Sequence, residues 1–309
     1  MTNHTKTFGR NRGLIFRSNR RHFFSLMTCL ILLFSVFGYA SAQETWPHIA
    51  FSEDGTPISY EVYGTGDPTL IFVHGWCCDS RYWREQVPEF SRKYRVVVLD
   101  LTGHGHSGMS RIIYSISSFG EDVKAVTEAV GGHKVILIGH SMGGPVIAEA
   151  ARLMPERVIG LIGIDTFKNV ESSPTKEVAK TVMAALEKNF PDACRQFIGR
   201  AFSPKTDPQL REWILSDMSS APPQVALSVS NDMIGQSITG ETAKMFEDIR
   251  IPVMTINGDL ESINYEANRK HMLSFDAVVI KEAGHFLMTA RPDEFNKELQ
   301  KTILKLTGK

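Results

Sequence analysis

The sequence is poor in cysteine and has no net charge. It contains 4 cysteines in 309 residues, and its 34 basic residues balance 34 acidic ones. No Cys-x-x-Cys or His-x-x-x-His spacing is present, so neither a zinc site nor a disulfide framework is indicated. The even balance gives no sign of a nucleic-acid-binding surface. No internal repeat or low-complexity stretch stands out, and no cofactor is predicted.

The charge balance hides a basic amino-terminal segment. Residues 1–42 hold six of the 34 basic residues and no acidic one, which leaves 28 basic and 34 acidic residues in the rest. An apolar run over residues 23–40 follows, and Ala40-Ser41-Ala42 has the small-x-small pattern of a signal-peptidase site. We therefore expect a signal peptide over residues 1–42 and a periplasmic or secreted protein.

Two features of this leader leave alternatives open. Asn19-Arg20-Arg21 resembles a twin-arginine signal, although asparagine is not the usual residue there. An apolar run of 18 residues also approaches the length that spans a bilayer, so the alternative to cleavage is an uncleaved membrane anchor. The membrane is expected as a partner only in that second case.

Three cysteines follow the leader, at positions 77, 78 and 194. Their number is odd, and two of them are adjacent. Export would permit one disulfide from Cys194 to either neighbour, but buried free thiols are the preferred interpretation.

Strand and helix signals alternate along the rest of the chain. Such alternation predicts an α/β fold, with a mostly parallel sheet covered by helices on both faces. The first two strands read as an antiparallel pair. Helices are expected over residues 82–90, from the Ser118/Glu121 capping box to about Val130, and from Pro292 onward. The eight predicted strands are 49–51, 58–63, 70–73, 95–99, 135–138, 158–164, 253–256 and 277–280.

One interruption of the alternation is too long for a simple connection. Residues 168–248 carry apolar residues at helical spacing, punctuated by prolines, which indicates several short amphipathic helices. We interpret this segment as a helical cap inserted into a core made of residues 43–167 and 249–309.

The most informative stretch is the apolar run 135–138 followed by Gly139-His140-Ser141-Met142-Gly143. A buried strand that enters Gly-x-Ser-x-Gly and continues as a helix is typical of a nucleophile elbow. The glycines permit a sharp turn that exposes the hydroxyl of Ser141. Ser141 is therefore the predicted nucleophile.

A serine nucleophile needs a base and a carboxylate that orients the base. His285 follows the last predicted strand and is the best base, because the chain order Ser, acid, His matches the pattern. Glycine spacing from Gly258 selects Glu261 as the acid, whereas residue type favours Asp259. Asp165, after the strand 158–164, is a third and less favoured candidate.

The oxyanion hole needs two N–H donors aimed at the developing alkoxide. The backbone N–H groups of Trp76 and Met142 are the candidates. A glycine-rich stretch at residues 103–108 matches Gly-x-Gly-x-x-Gly, but the next helix starts too late to place its N-terminus on a pyrophosphate. We interpret that stretch as a turn loop and not as a nucleotide site.

Taken in order, four motifs make residues 49–307 resemble the α/β-hydrolase superfamily. The resemblance implies an eight-stranded α/β-hydrolase sheet and points to the small esterase, haloperoxidase-like and proline-iminopeptidase-like branch. That branch usually has an aspartate three residues after the glycine equivalent to Gly258, where this chain has Glu261. The motifs are His74-Gly75-Trp76, Asp100 to Ser107, Gly139-His140-Ser141-Met142-Gly143 and Gly284-His285-Phe286.

The expected activity is hydrolysis of a small or medium apolar carboxylic ester through an acyl-enzyme. An aminopeptidase or amidase of the same fold is the first alternative, although acidic residues of the cap do not cluster to hold an amine. A non-catalytic ligand-binding protein on this fold is the second. The expected partner is a small-molecule ester, and the sequence does not specify an oligomeric state.

Overall fold

A computed structural model describes residues 47–308, and the predicted leader at residues 1–42 lies outside them. The described chain forms one eight-stranded sheet with the strand order β1-β2-β4-β3-β5-β6-β7-β8. β2 pairs antiparallel with both β1 and β4, and every other neighbouring pair is parallel. The strands are β1 His48–Phe51, β2 Pro57–Tyr63, β3 Thr69–Val73, β4 Arg95–Leu99, β5 Val135–His140, β6 Val158–Ile164, β7 Val253–Gly258 and β8 Phe275–Ile280.

The central strands are apolar because helices cover both of their faces. Every residue of β3, β5 and β7 is buried, as expected for strands in the middle of a parallel sheet. The predicted mostly parallel α/β sheet is therefore confirmed.

Helices connect and cover these strands. The α-helices are α1 Val87–Phe90, α2 Ile116–Val130, α3 Gly143–Leu153, α4 Lys176–Lys188, α5 Phe190–Ile198, α6 Pro208–Ser219, α7 Pro223–Thr239, α8 Glu241–Lys244, α9 Tyr265–His271, α10 Leu287–Ala290 and α11 Pro292–Thr307. Short 3-10 helices occupy Ser80–Trp83 and Met245–Asp248. Within the described range, no helix is both long and apolar enough to cross a membrane.

Two predicted helices differ from the structure. The segment 82–90 contains a 3-10 turn and then α1, because Pro88 has no N–H to donate and fits only the first turn of a new helix. α2 begins earlier than predicted, after Ser115. The hydroxyl oxygen of Ser115 accepts a hydrogen bond from the N–H of Ser118, and the hydroxyl oxygen of Ser118 accepts one from the N–H of Ser115. These two reciprocal bonds form the capping box.

Residues 168–248, which we call the cap segment, connect β6 to β7 and contain α4 to α8. Their buried side chains, such as Leu186, Cys194 and Ile214, join the core cluster. The three cysteines of the described chain are buried free thiols, as predicted; they are Cys77, Cys78 and Cys194.

A buried ion-pair cluster holds the loop after β4 against the first hairpin and α2. Arg111 donates hydrogen bonds to Asp54 at 2.7 Å and to Asp122 at 2.8 Å. Asp122 also accepts hydrogen bonds from the hydroxyls of Ser52 and Thr102. Burial raises the pKa of Asp122, and the guanidinium of Arg111 opposes that shift.

Candidate active site

Ser141 lies in the turn between β5 and α3, at the carboxyl edge of the sheet. Its backbone has a positive φ of 52°, a conformation that is uncommon for a residue with a side chain. The N–H of Ser141 donates to the carbonyl of Ile164 at 2.9 Å, and the carbonyl of Ser141 accepts from Gly144 at 2.8 Å. These bonds hold the serine in the strained turn.

The glycines of the motif are required by close backbone packing. A Cβ atom at Gly139 would lie 2.2 Å from the carbonyl oxygen of Gly143, and a Cβ atom at Gly143 would lie 2.6 Å from that of Val73. Any larger residue would push the elbow off the adjacent strand. The two glycines thus allow the turn that presents Ser141.

His285 is held by one hydrogen bond on its ring and two on its backbone. Its Nδ1–H donates to Oδ2 of Asp165 at 2.5 Å. Its N–H donates to the carbonyl of Ala201 at 2.8 Å, and its own carbonyl accepts from Nε2–H of His140 at 3.0 Å. With Nδ1 protonated, Nε2 carries the lone pair that a general base needs.

Asp165 directly follows β6 and sits between the ends of β5 and β7. Its N–H donates to the carbonyl of Ile256, and its Oδ1 accepts from the N–H of Gly258 at 2.9 Å. Burial alone would raise its pKa, but hydrogen bonding and charge from His285 and Lys168 lower it to about 2. The carboxyl group is therefore ionised throughout the neutral range.

The geometry reverses the predicted preference for Asp259 or Glu261 over Asp165. β7 ends at Gly258, which packs closely on the carbonyl of Ala283, and the two acids follow it in the next loop. Both Asp259 and Glu261 are exposed. Asp165, at the end of β6 beside β5, instead accepts the hydrogen bond from Nδ1 of His285.

Glu261 nevertheless belongs to the site through Lys168. The Nζ of Lys168 lies 2.9 Å from Oδ2 of Asp165 and 3.2 Å from Oε2 of Glu261. The lysine side chain is only 16% exposed. Lys168 was not predicted as a site residue, and its place three residues after an acid at the end of a predicted strand is the only signal for it in the sequence.

The two proposed oxyanion donors line the same cavity as Ser141 and His285. Among residues 47–308, no acceptor is hydrogen-bonded to the backbone N–H of Trp76 or Met142. The indole of Trp76 donates to the carbonyl of Ala226 and packs edge-on against rings of the cap segment. The side chain of Trp76 therefore packs while its N–H stays free to donate.

The other histidines near the elbow have structural partners. Nε2 of His74 accepts from the N–H of Leu101 at 3.0 Å, and its Nδ1–H donates to the carbonyl of Gly75. Burial lowers the pKa of His104 and of His140 to about 3. All three rings are neutral and buried, which leaves His285 as the histidine suited to take a proton from Ser141.

A cavity of about 1220 Å³ opens over these groups. Core residues form its floor, and the cap segment forms much of its wall. The wall is mostly apolar, with a polar strip that contains Lys168 and Glu261. Apolar residues that the cap segment contributes are Val182, Met183, Leu186, Phe197, Ile198, Ala201, Met218, Met233 and Ile234.

A family model described as alpha/beta hydrolase fold matches residues 68–288. A pimeloyl-[acyl-carrier protein] methyl ester esterase from Aeromonas hydrophila subsp. hydrophila is 26% identical over 259 residues, which cover 77% of this chain and 96% of that protein. The residues matched by the family model include the elbow, Asp165 and His285.

Solved structures give the same fold. A thermophilic esterase from Thermogutta terrifontis superposes with a TM-score of 0.71 at 23% identity, covering 85% of this chain and 99% of that one. A bromoperoxidase from Bacillus anthracis also has a TM-score of 0.71, at 21% identity, covering 83% and 99%. At these identities the superpositions establish the architecture and no more.

Proposed function

Because the chain belongs to the alpha/beta hydrolase fold family, we propose that it hydrolyses carboxylic esters with Ser141 as nucleophile, His285 as general base and Asp165 as acid. The observation that carries this proposal is the 2.5 Å hydrogen bond from Nδ1 of His285 to Asp165. That bond selects the tautomer whose Nε2 accepts a proton, in a cavity shared with the elbow serine.

In the first step, Nε2 of His285 takes the hydroxyl proton as Oγ of Ser141 attacks the ester carbonyl. Asp165 stabilises the imidazolium that forms. The free N–H groups of Trp76 and Met142 donate to the tetrahedral oxyanion, an interaction worth about 3–4 kcal/mol per donor in comparable enzymes. The imidazolium then gives its proton to the departing alcohol, which leaves an acyl-enzyme.

Water completes the cycle. His285 takes a proton from a water molecule that attacks the acyl carbonyl, the oxyanion hole is used again, and the acid is released as Ser141 regains its proton. No cofactor enters either step. The apolar wall of the cavity favours an apolar acyl group of small or medium length.

The test is turnover on a panel of p-nitrophenyl esters with acyl chains from acetyl to decanoyl. Ser141→Ala is expected to lose at least about 10⁴-fold in kcat while its circular dichroism and melting temperature stay unchanged. Ser262→Ala, another serine that lines the cavity, is the matched control and should keep its activity. A folded Ser141→Ala variant with more than a few per cent of wild-type turnover would exclude the serine mechanism.

An aminopeptidase on the same fold would need a free carboxylate to hold the substrate amine. The cavity offers Glu261, but Lys168 already pairs with it. Amino-acid p-nitroanilides in the same panel test this alternative. A wild-type protein that binds esters without turning over any member of the panel would instead indicate a ligand-binding protein.

A further inference from the structure

Oδ2 of Asp165 accepts hydrogen bonds from a histidine and a lysine at once. Nδ1 of His285 lies 2.5 Å from it, and Nζ of Lys168 lies 2.9 Å from the same atom. The carboxylate is 3% exposed and Lys168 is 16% exposed, so water screens this interaction little. The positive charge of Lys168 therefore reduces the effect that the negative charge of Asp165 has on His285.

The reduced charge affects the proton on His285. A positive charge near an imidazole disfavours its protonated form, and a carboxylate favours it. Lys168 therefore partly cancels the stabilisation of the imidazolium by Asp165. A general base must be unprotonated in the free enzyme, so Lys168 extends activity toward lower pH.

Glu261 acts in the opposite direction. Its carboxylate lies 3.2 Å from Nζ of Lys168. The negative charge of Glu261 therefore offsets part of the effect that the positive charge of Lys168 has on the Asp165–His285 pair. Its side chain is 71% exposed, so solvent and salt screen its contribution more than that of Lys168. The main chain at Lys168 is also fixed, since its carbonyl accepts from the N–H of Asn264 at 2.7 Å.

We propose that Lys168 and Glu261 are positioning residues that set the pH range of hydrolysis by acting with opposite signs on the Asp165–His285 pair. The inference rests on the proposed function and adds to it. It assigns a role to Glu261 that differs from that of the triad acid.

Other titratable or polar groups around Asp165 do not have the same electrostatic influence on the Asp165–His285 pair. His140 contacts the backbone of His285 and is neutral, because burial lowers its pKa to about 3. Arg200 lines the cavity from the cap segment, but its side chain is exposed at the rim. Among residues 47–308, the N–H of Gly258, which is uncharged, is the donor to Oδ1 of Asp165.

The experiment measures kcat/KM against pH for the full chain on one short p-nitrophenyl ester, with product followed at the isosbestic wavelength. Lys168→Met should move the midpoint of the acid limb to higher pH by about one unit, since a partly buried neighbouring charge is removed. Lys168→Arg keeps the positive charge, so its acid limb should have the same midpoint as that of the wild-type protein.

Glu261→Gln should move the same midpoint to lower pH by about 0.3 units, and the shift should shrink at high salt because the side chain is exposed. In the Lys168→Met background, Glu261→Gln should lose most of its effect. Lys305→Met and Asp276→Asn, which break an ion pair between α11 and β8, are the matched controls and should leave the profile unchanged.

The outcomes separate this inference from the proposed function. A purely structural role for Lys168 would lower kcat/KM at every pH and leave the midpoint in place, which would overturn the inference. Shifts of the same sign for Lys168→Met and Glu261→Gln would overturn it as well. An inactive wild-type protein would instead count against ester hydrolysis itself.

Discussion

At the residue scale, the chemistry depends on one carboxylate that three parts of the chain approach. Asp165 accepts from Gly258 at the end of β7, from His285 after β8 and from Lys168 on its own loop. These contacts exclude water and orient the imidazole. The position of Asp165, and not its residue type, makes it the acid in the proposed mechanism.

Replacing each candidate acid by its amide distinguishes among them. Asp165→Asn is expected to lower kcat by about 10⁴-fold, because the amide cannot hold the productive tautomer or stabilise an imidazolium. Asp259→Asn and Glu261→Gln should change kcat at the pH optimum by only a small factor, since both side chains are exposed. Turnover on one p-nitrophenyl ester at fixed pH measures all three variants. A loss of orders of magnitude for Asp259→Asn alone would return the acid to the loop after β7.

At the scale of single elements, α4 faces the cavity on one side and solvent on the other. Met183 and Leu186 line the cavity, whereas Val178 on the same helix is 53% exposed. The helix therefore contributes wall surface to the space above the serine without contributing a reacting group.

We predict that α4 helps to set acyl-chain length. Met183→Trp should fill part of the cavity and lower kcat/KM for long acyl esters by at least about tenfold relative to the acetyl ester. Val178→Trp places the same side chain on the solvent face and should leave the preference unchanged. The ratio of kcat/KM between decanoyl and acetyl p-nitrophenyl esters is the measurement. An unchanged ratio in Met183→Trp would remove this helix from substrate selection.

The loop after β4 depends on Arg111, whose side chain is 8% exposed. Arg111→Met leaves Asp122 buried without its cation and should lower the free energy of unfolding by about 3–5 kcal/mol at pH 8. Arg92→Met, which removes an exposed ion pair with Glu89, should change it by no more than about 0.5 kcal/mol.

The loss in Arg111→Met should depend on pH. Without the guanidinium, burial keeps Asp122 protonated in the folded state, while the unfolded chain releases that proton above about pH 4. Folding then binds a proton, so stability falls as the pH rises, and the loss should be smaller at pH 5 than at pH 8. Urea denaturation at the two pH values measures this difference. An equal loss at both would show that Asp122 stays ionised in the variant.

At the scale of the whole molecule, the chain is an α/β-hydrolase enzyme, and the family model that matches residues 68–288 confirms the superfamily predicted from its motifs. The described residues begin at position 47, so export remains a prediction from the sequence. We propose a periplasmic or secreted enzyme.

The leader gives the last prediction. Protein purified from its native host should begin at Gln43 and should be found outside the cytoplasm, because the basic stretch, apolar run and Ala40-Ser41-Ala42 together have the pattern of a cleavable signal. Mass spectrometry of the intact protein identifies the first residue. Ala40→Lys should block cleavage and serves as the control. Native protein that retains residues 1–42 would support the membrane anchor.

Local sequence patterns determined the sheet, the elbow and the base. An apolar run before Gly-x-Ser-x-Gly specifies β5, the turn and α3 within about twenty residues, and steric exclusion at Gly139 and Gly143 leaves that turn few alternatives. His285 was predicted from its place after the last strand. The helix boundaries at Ser115 and Pro88 were less accurate, because Ser118 closes a capping box with Ser115 and not with Glu121, and because Pro88 starts a separate helix.

Only the tertiary structure decided which acid meets His285. The two residues are 120 positions apart, and Asp165 competes with two acids that lie much closer to the histidine in sequence. The competition is settled by strand order, which puts the end of β6 between those of β5 and β7, where Asp165 meets His285 while Asp259 and Glu261 stay exposed. Strand order leaves no local pattern, because it depends on packing between segments that no short stretch of sequence encodes.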